Sequence, residues 1–207
     1  MHCTKLMRLI LAPAVFTAAA NASLFNFDVN SLGTATNFTD TVSGVSATFS
    51  SPADPGGFVV YPTIFQTLGG NVLGDPGPAG LDNLALTVNF SQALSAITLS
   101  FATSDFSSPS PFTLTAYQNS NLVGSNTQSG MFLSSFSFPE GQLTFSGSAF
   151  NRVVLSSTAQ DFAIDNINVS PSASTPEPSA LVLSATGLLV LLTSFALRFF
   201  RRRLSVS

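Results

Sequence analysis

The chain has 207 residues, with a mean hydropathy of +0.40 and a formal net charge of −3. It carries one cysteine, one histidine and no tryptophan. That length suits one domain plus accessory segments, and the lone cysteine excludes an intrachain disulfide.

The N-terminus, "MHCTKLMRLILAPAVFTAAANAS", places Lys5 and Arg8 before an apolar run, Leu9 to Ala20. Ala20-Asn21-Ala22 then fits a small-x-small cleavage site, with the cut before Ser23. Charged start, short apolar stretch and small-residue site together predict a secretory signal peptide over 1–22. The apolar run is too short to span a bilayer comfortably, and Pro13 would interrupt a core helix. Export through the Sec machinery removes His2 and Cys3, so zinc or copper sites built on Cys or His are excluded from the exported part. Hydrophobic burial has to hold the fold without a covalent staple.

Residues 23–170 are rich in Ser, Thr, Asn, Gly and Phe, and period-two alternation dominates. "LALTVNF" sets Leu84, Leu86, Val88 and Phe90 on one face. "AITLSF" does the same with Ile97, Leu99 and Phe101, and "FTLTAYQ" with Phe112, Leu114 and Ala116. Further predicted strands are Leu24–Val29, Val45–Phe49, Phe58–Phe65, Met131–Phe138, Leu143–Phe145, Arg152–Leu155 and Phe162–Val169. Turn-rich stretches separate them: "SPADPGG" at 51–57, "GDPGPAG" at 74–80, "SSPSP" at 107–111, "QNSN" at 118–121 and "PEG" at 139–141. Eight to ten short strands at this spacing predict an all-β fold, a β-sandwich or jelly-roll-like domain. Sixteen phenylalanines fall between Ser23 and Thr175. Burying each is worth roughly 2–3 kcal/mol, so they are assigned to the core, with a sugar-stacking platform as the alternative for some.

In "DFAIDNINV" the alternation breaks. Phe162 and Ile164 share one face, Ile167 and Val169 the other, so burying all four requires a β-bulge near Asp165-Asn166. A bulge re-aims side chains, and Asp165 becomes a candidate oxygen ligand for calcium. The alternative is that Asp165 and Asn166 only satisfy local backbone donors.

Between Ser23 and Thr175 nine acids face a single base, Arg152, for a net charge of −8. Such a surface repels nucleic acid and anionic lipid and tolerates cations and neutral glycans. Arg152 is expected in an ordinary ion pair. Without His, Lys or Cys, the base-assisted nucleophiles are impossible, and the exported domain reads as a non-enzyme. Only a carboxylate pair cleaving a glycosidic bond survives, with Glu140, the domain's one glutamate, as its acid. Asn-x-Ser/Thr triplets at Asn37, Asn89 and Asn168 are attributed to the Ser/Thr-rich composition.

After the Pro-rich linker 171–178 come nineteen uncharged residues, 179–197, about 28 Å as a helix and close to the hydrocarbon thickness. The tail 198–207 follows at once with Arg198, Arg201, Arg202 and Arg203, which orients the predicted transmembrane helix with its tail in the cytoplasm. Pro176-Glu177-Pro178, one membrane span and an arginine-rich end together resemble the PEP-CTERM sorting signal of Gram-negative bacteria that make extracellular polysaccharide. The resemblance covers the last 34 residues or so. It implies an inner-membrane precursor cut near the triplet by the membrane enzyme exosortase. The product would then pass to the cell surface or biofilm matrix, with a structural or adhesive role in exopolysaccharide. More weakly, "FNFD" at 25–28, "LTAYQNSNLVGS" at 114–125 and "DFAIDNINV" at 161–169 resemble β-sandwich domains common in such proteins. Some of these bind carbohydrate or hold a structural calcium. That resemblance implies that Asp28 and Asp165 share an ion if the first and last strands are neighbours. The readings that follow are a surface or matrix protein, a carbohydrate-binding module with a defined glycan, or a carboxylate glycosidase.

Overall fold

A computed structural model of the chain describes residues 22–76, 84–134, 137–172 and 186–192. The chain divides into two compact units, Met1–Ala173 and Ser174–Ser207. In the first unit the described residues form eleven antiparallel strands. They are β1 (Ser23–Phe25), β2 (Phe38–Val42), β3 (Val45–Ser50), β4 (Val59–Pro62), β5 (Asn71–Gly74) and β6 (Leu86–Thr103). After these come β7 (Pro111–Gln118), β8 (Asn121–Ser129), β9 (Met131–Phe132), β10 (Pro139–Ser157) and β11 (Phe162–Pro171).

Two long strands organise the rest. The first half of β6 lies between β3, with Phe49 opposite Val88, and the second half of β10, with Leu155 opposite Leu86. That layer continues from β10 to β7 and β8. The second half of β6 lies between β11, with Ala163 opposite Ala102, and the first half of β10, with Glu140 also opposite Ala102. That layer continues from β11 to β5 and β4, and β1 joins β11 as well. β6 and β10 therefore pass through both layers. Strands that switch layers need bends or bulges, and the β6–β10 register shifts between Ser146 and Phe150 and again before Arg152.

Between the layers lies a phenylalanine core. Phe101 of β6 stacks on Phe112 of β7 at 4.4 Å between ring centroids. Phe112 meets Phe162 of β11 edge-on at 5.1 Å, and Phe27 meets Phe49 of β3 at 5.3 Å. The first two contacts join one layer to the other, and the third packs the segment after β1 on β3. All five of these rings are buried, so the missing disulfides are replaced by apolar burial with favourable aromatic geometry.

Several predicted elements are corrected. The strands expected at 84–90 and 96–101 are parts of one strand, β6, and those at 143–145 and 152–155 are parts of β10. Pro139-Glu140-Gly141, read as a turn, opens β10 instead. Proline is tolerated at a first strand position, and Glu140 is paired on both sides, with Ala102 and with Met131. Leu24–Val29 is strand only to Phe25, where the chain leaves the sheet through Phe27, at φ 47°. β2, β5 and β8 were not expected. β2 and β8 are partly or fully exposed on both faces and lack the apolar alternation that marks a half-buried strand.

The signal peptide lies outside the described residues except at its end, where Ala22 is exposed and Ser23, the first residue of β1, is buried. Ala20, the Pro176-Glu177-Pro178 triplet, Arg198 and Arg201–Arg203 also lie outside them. Of the predicted span 179–197 only 186–192 are described, and they are helical. Among the described residues no helix is long and apolar enough to cross a membrane.

Candidate functional site

The outer face of the β4–β5–β11–β6 layer is built from small residues. Gly74 of β5 lies opposite Ala163 of β11, which lies opposite Ala102 of β6. Their short side chains leave a depression. The β4–β5 loop covers part of it, and Leu68, Val72, Ala102 and Ala163 form a second, smaller buried cluster with Tyr61 and Phe65 packed against it.

Glu140 holds this loop down. One carboxylate oxygen accepts from the Gln66 amide at 2.7 Å. The other accepts from the Thr67 amide at 2.6 Å and from the Thr67 hydroxyl. Hydrogen bonds to an ionised acceptor are roughly twice as strong as neutral ones. The Gln66 side chain adds a bond to Ser134 at 3.0 Å, tying the loop to the segment after β9. Glu140 is buried, and both its oxygens are engaged by the loop. This carboxylate is an anchor, which removes the one acid that the glycosidase alternative named.

The uncovered part of the depression is a cleft of about 330 Å³. Ala102 and Ala163 line it, with aromatic walls from Tyr61, Phe65, Phe138 and Phe162 and carboxylates from Asp75 and Asp161. A side chain at Gly74 would place its Cβ 2.8 Å from the Tyr61 hydroxyl and 2.8 Å from the Ala163 Cβ. Only glycine lets the phenol lie this close over β5. The phenol pKa is pushed up to about 12, first by burial and then by the negative charge of Asp75 and Asp161.

From the cleft an aromatic row runs outward across three loops. Phe138 contacts Phe65 at 5.7 Å and Phe106 at 5.6 Å between centroids. Phe106 is 87% exposed. Its loop is braced by Asp105, which accepts from the Thr103 hydroxyl at 2.7 Å, the Ser110 amide at 2.8 Å and the Ser110 hydroxyl at 2.7 Å. Phe106 continues the row of Phe138 and Phe65, and a contiguous exposed apolar patch, unlike a single exposed ring, is a mark of an interaction surface. A mostly apolar cleft with a few convergent polar groups is the usual form of a small-ligand site.

Asp28 and Asp165 come together under the same loop, because β1 pairs with β11. The bulge lies where the broken alternation places it, with the β11–β6 register shifting between Asp165 and Asn168 and Asn166 at φ 51°. Asp165 is 1% exposed. Its Oδ2 accepts from the Gly69 amide at 3.1 Å and the Asn166 side chain at 2.8 Å. Its Oδ1 is buried and has no partner among the described residues. Asp28 accepts from the Asn71 amide at 2.8 Å and the Asn26 side chain at 3.1 Å. Gly69 and Asn71 thus bind one carboxylate each. Gly70 between them adopts φ +57°, and any side chain there would run into the Asp28 carboxylate. Burial raises the Asp165 pKa from 3.8 to about 6, with Asp28 adding a smaller push, while hydrogen bonds from Asn166 and Gly69 oppose it. No group of three or more His, Cys, Asp or Glu side chains poised for a metal is found among the described residues.

Arg152 departs from the expected ion pair. Its guanidinium stacks over the Tyr117 ring at 4.4 Å, a cation–π contact between cross-strand partners on β10 and β7. The cleft residues Tyr61, Phe65, Phe138, Asp75 and Asp161, and Phe106 beside them, escape sequence reading, because segments far apart in the chain supply them. The surplus of phenylalanine is the one signal that pointed toward them.

The Asp165 shift has a definite sign. A carboxyl that binds its proton more tightly when folded contributes stability fully present below about pH 4, and this is lost as pH rises through about 6. Melting temperatures of the domain are expected to rise as pH falls from neutrality toward 5, and Asp165→Asn should flatten that rise. An unchanged slope in the variant would place the pH dependence elsewhere.

No protein-family model matches the chain, and no curated protein matches it in sequence. Among solved structures it is similar to the K2 cleaved adhesin domain of Lys-gingipain, at 14% identity over 72% of this chain and 99% of that one, with a TM-score of 0.49. It is also similar to a mannan-recognising carbohydrate-binding module, TmCBM27, at 10% identity over 74% and 99%, with a TM-score of 0.43. A third is the CBM22-1 xylan-binding domain of Paenibacillus barcinonensis Xyn10C, at 12% identity over 76% and 98%, with a TM-score of 0.35. At these values the likeness fixes neither a family nor a ligand.

Proposed function

We propose that the β domain is a non-enzymatic carbohydrate-binding domain with an adhesive role at the cell surface. The observation that carries this reading is the cleft: aromatic walls beside two carboxylates, continued outward by the row Phe65, Phe138 and Phe106. A pyranose ring presents an apolar C–H face and a rim of hydroxyls. The first suits aromatic walls and the second suits carboxylate acceptors. Engagement of Glu140 by the loop favours binding over hydrolysis.

The sorting reading completes the account. The 23–170 domain is exported, held temporarily by 179–197, and cut near Pro176-Glu177-Pro178 by an exosortase, leaving a matrix-bound product. Asp165, aided by Asp28, is the proposed ligand for one calcium ion. An unpartnered buried carboxylate oxygen supports this, since a bound cation would supply the missing partner.

Three measurements test these readings. Isothermal titration of the domain with neutral hexose and pentose oligosaccharides is expected to give binding, weakened about tenfold or more in Phe138→Ala through the lost stacking surface. A domain that binds none of them contradicts the glycan reading. Millimolar calcium should raise the melting temperature of the wild type and leave Asp165→Asn unmoved, whereas a wild type indifferent to calcium removes the ion from the account. Mass spectrometry of the mature C-terminus, in a host carrying an exosortase, should find a product ending near the triplet and a full-length chain in Glu177→Ala. A wild-type product still ending at Ser207 rejects the sorting reading.

A further inference from the structure

The cleft has little that can donate a hydrogen bond to a ligand. The Asp75 amide donates to the Phe162 carbonyl at 3.1 Å, and the Ser104 amide to the Asp161 carbonyl at 3.0 Å. The Asp161 amide donates to the Ser104 hydroxyl oxygen at 2.9 Å, and the Thr103 hydroxyl donates to Asp105 at 2.7 Å. Asp75 is buried, and both it and Asp161 already have interaction partners within the chain. Among the side chains lining the cleft, the hydroxyls of Tyr61 and Ser104 are left to donate. Arg152, the only basic side chain between Ser23 and Thr175, stacks on Tyr117 in the half of β10 that pairs with β7. The cleft lies by the other half, where β10 begins beside Ala102. What the cleft presents instead is carbon. Ile64 and Pro76 are exposed and Phe65 and Phe138 half-buried, so all four offer apolar surface to a ligand. A volume of about 330 Å³ is at the small end of ligand sites, roughly 300–1,000 Å³, and suits one sugar unit.

Resting on the glycan reading above, we infer that the cleft selects a 6-deoxyhexose, a sugar whose exocyclic carbon is a methyl group, over the parent hexose, an O-acetylated sugar or a uronic acid. The methyl and the ring's C–H face pack on Ile64, Phe65, Pro76 and Phe138, while Tyr61, Ser104 and water at the opening serve the remaining hydroxyls. A methyl group gains by leaving water. The hydroxymethyl of the parent hexose puts an oxygen at the same place, where it loses its bonds to water and finds no donor. An acetyl ester adds a carbonyl oxygen, which can only accept. A uronic acid brings its charge to a cleft bordered by carboxylates with no base in reach, a cost that also counts against the wrong ligand.

The test is calorimetric titration of the domain with methyl glycosides that differ only in the group on C5: methyl, hydroxymethyl, hydrogen or carboxylate. The series is run in the galacto and manno ring configurations, with an O-acetylated hexose and neutral oligosaccharides alongside. In at least one configuration the methyl sugar should bind about tenfold or more tightly than its hydroxymethyl and hydrogen counterparts, and the carboxylate should not bind. Ile64→Asn, at an exposed position and checked for an unchanged melting profile, removes apolar surface and adds an amide donor. It should reduce the methyl-to-hydroxymethyl ratio toward one. Equal or tighter binding of the hydroxymethyl, acetylated or carboxylate sugar overturns the inference and leaves the glycan reading standing. So does binding of neutral oligosaccharides with no binding of either 6-deoxy glycoside. A methyl preference that persists unchanged in both Ile64→Asn and Phe138→Ala also overturns it, by placing the preference outside the cleft. Failure of every glycoside and oligosaccharide to bind overturns both.

Discussion

The pairing of β6 with β10 is the constraint on which the other features depend. It runs from Glu140 opposite Ala102 to Leu155 opposite Leu86, through both layers, and survives two register shifts on the way. Each layer is completed by strands added to one half or the other of this pair. The layers have no covalent link, so rings that cross between them, Phe101 on Phe112 and Phe112 on Phe162, hold them face to face. Dense packing of this kind leaves little tolerance for altered volume. It also spends the large apolar residues on the inner faces.

What remains for the outer face follows from that. Gly74, Ala163 and Ala102 stand side by side on the β5–β11–β6 surface, and their small size creates the hollow that the β4–β5 loop partly fills. The loop buries Leu68 and packs Phe65 against the same cluster, and carboxylates beneath and beside it hold its backbone. Glu140 takes two of its amides, Asp165 a third and Asp28 a fourth. Three acids in a strongly acidic domain thus act as loop anchors. Two others, Asp75 and Asp161, line the cleft that the anchored loop leaves open. Position relative to this loop, not residue type, separates the two groups.

The fold was largely legible where one face is buried. Leu86, Val88 and Phe90 alternate because one side of β6 packs in the core, and Phe112, Leu114 and Ala116 alternate for the same reason. The bulge at Asp165-Asn166 was legible from the clash between two apolar parities in one strand. β8 was not, because its residues face water on both sides and nothing in them alternates. Glu140 misled, since Pro-Glu-Gly has the composition of a turn, and the amides that hold it belong to a loop far earlier in the chain. The cleft was the least legible part. Tyr61, Asp75, Phe138 and Asp161 come from four segments, and only the path of the strands brings them to one place. The meeting of Asp28 with Asp165 depended on β1 lying beside β11, and the register supplies that neighbourhood.

The central claim is that the loop-anchored outer face, and not the opposite layer or an edge, is where a glycan sits. Chemical-shift mapping of the isotopically labelled domain during titration with a bound oligosaccharide tests it most directly. The account predicts that perturbations concentrate on Tyr61, Phe65, Ala102, Phe138, Asp161 and Ala163. Perturbations confined to β7 and β8, around Tyr117 and Arg152, would contradict it.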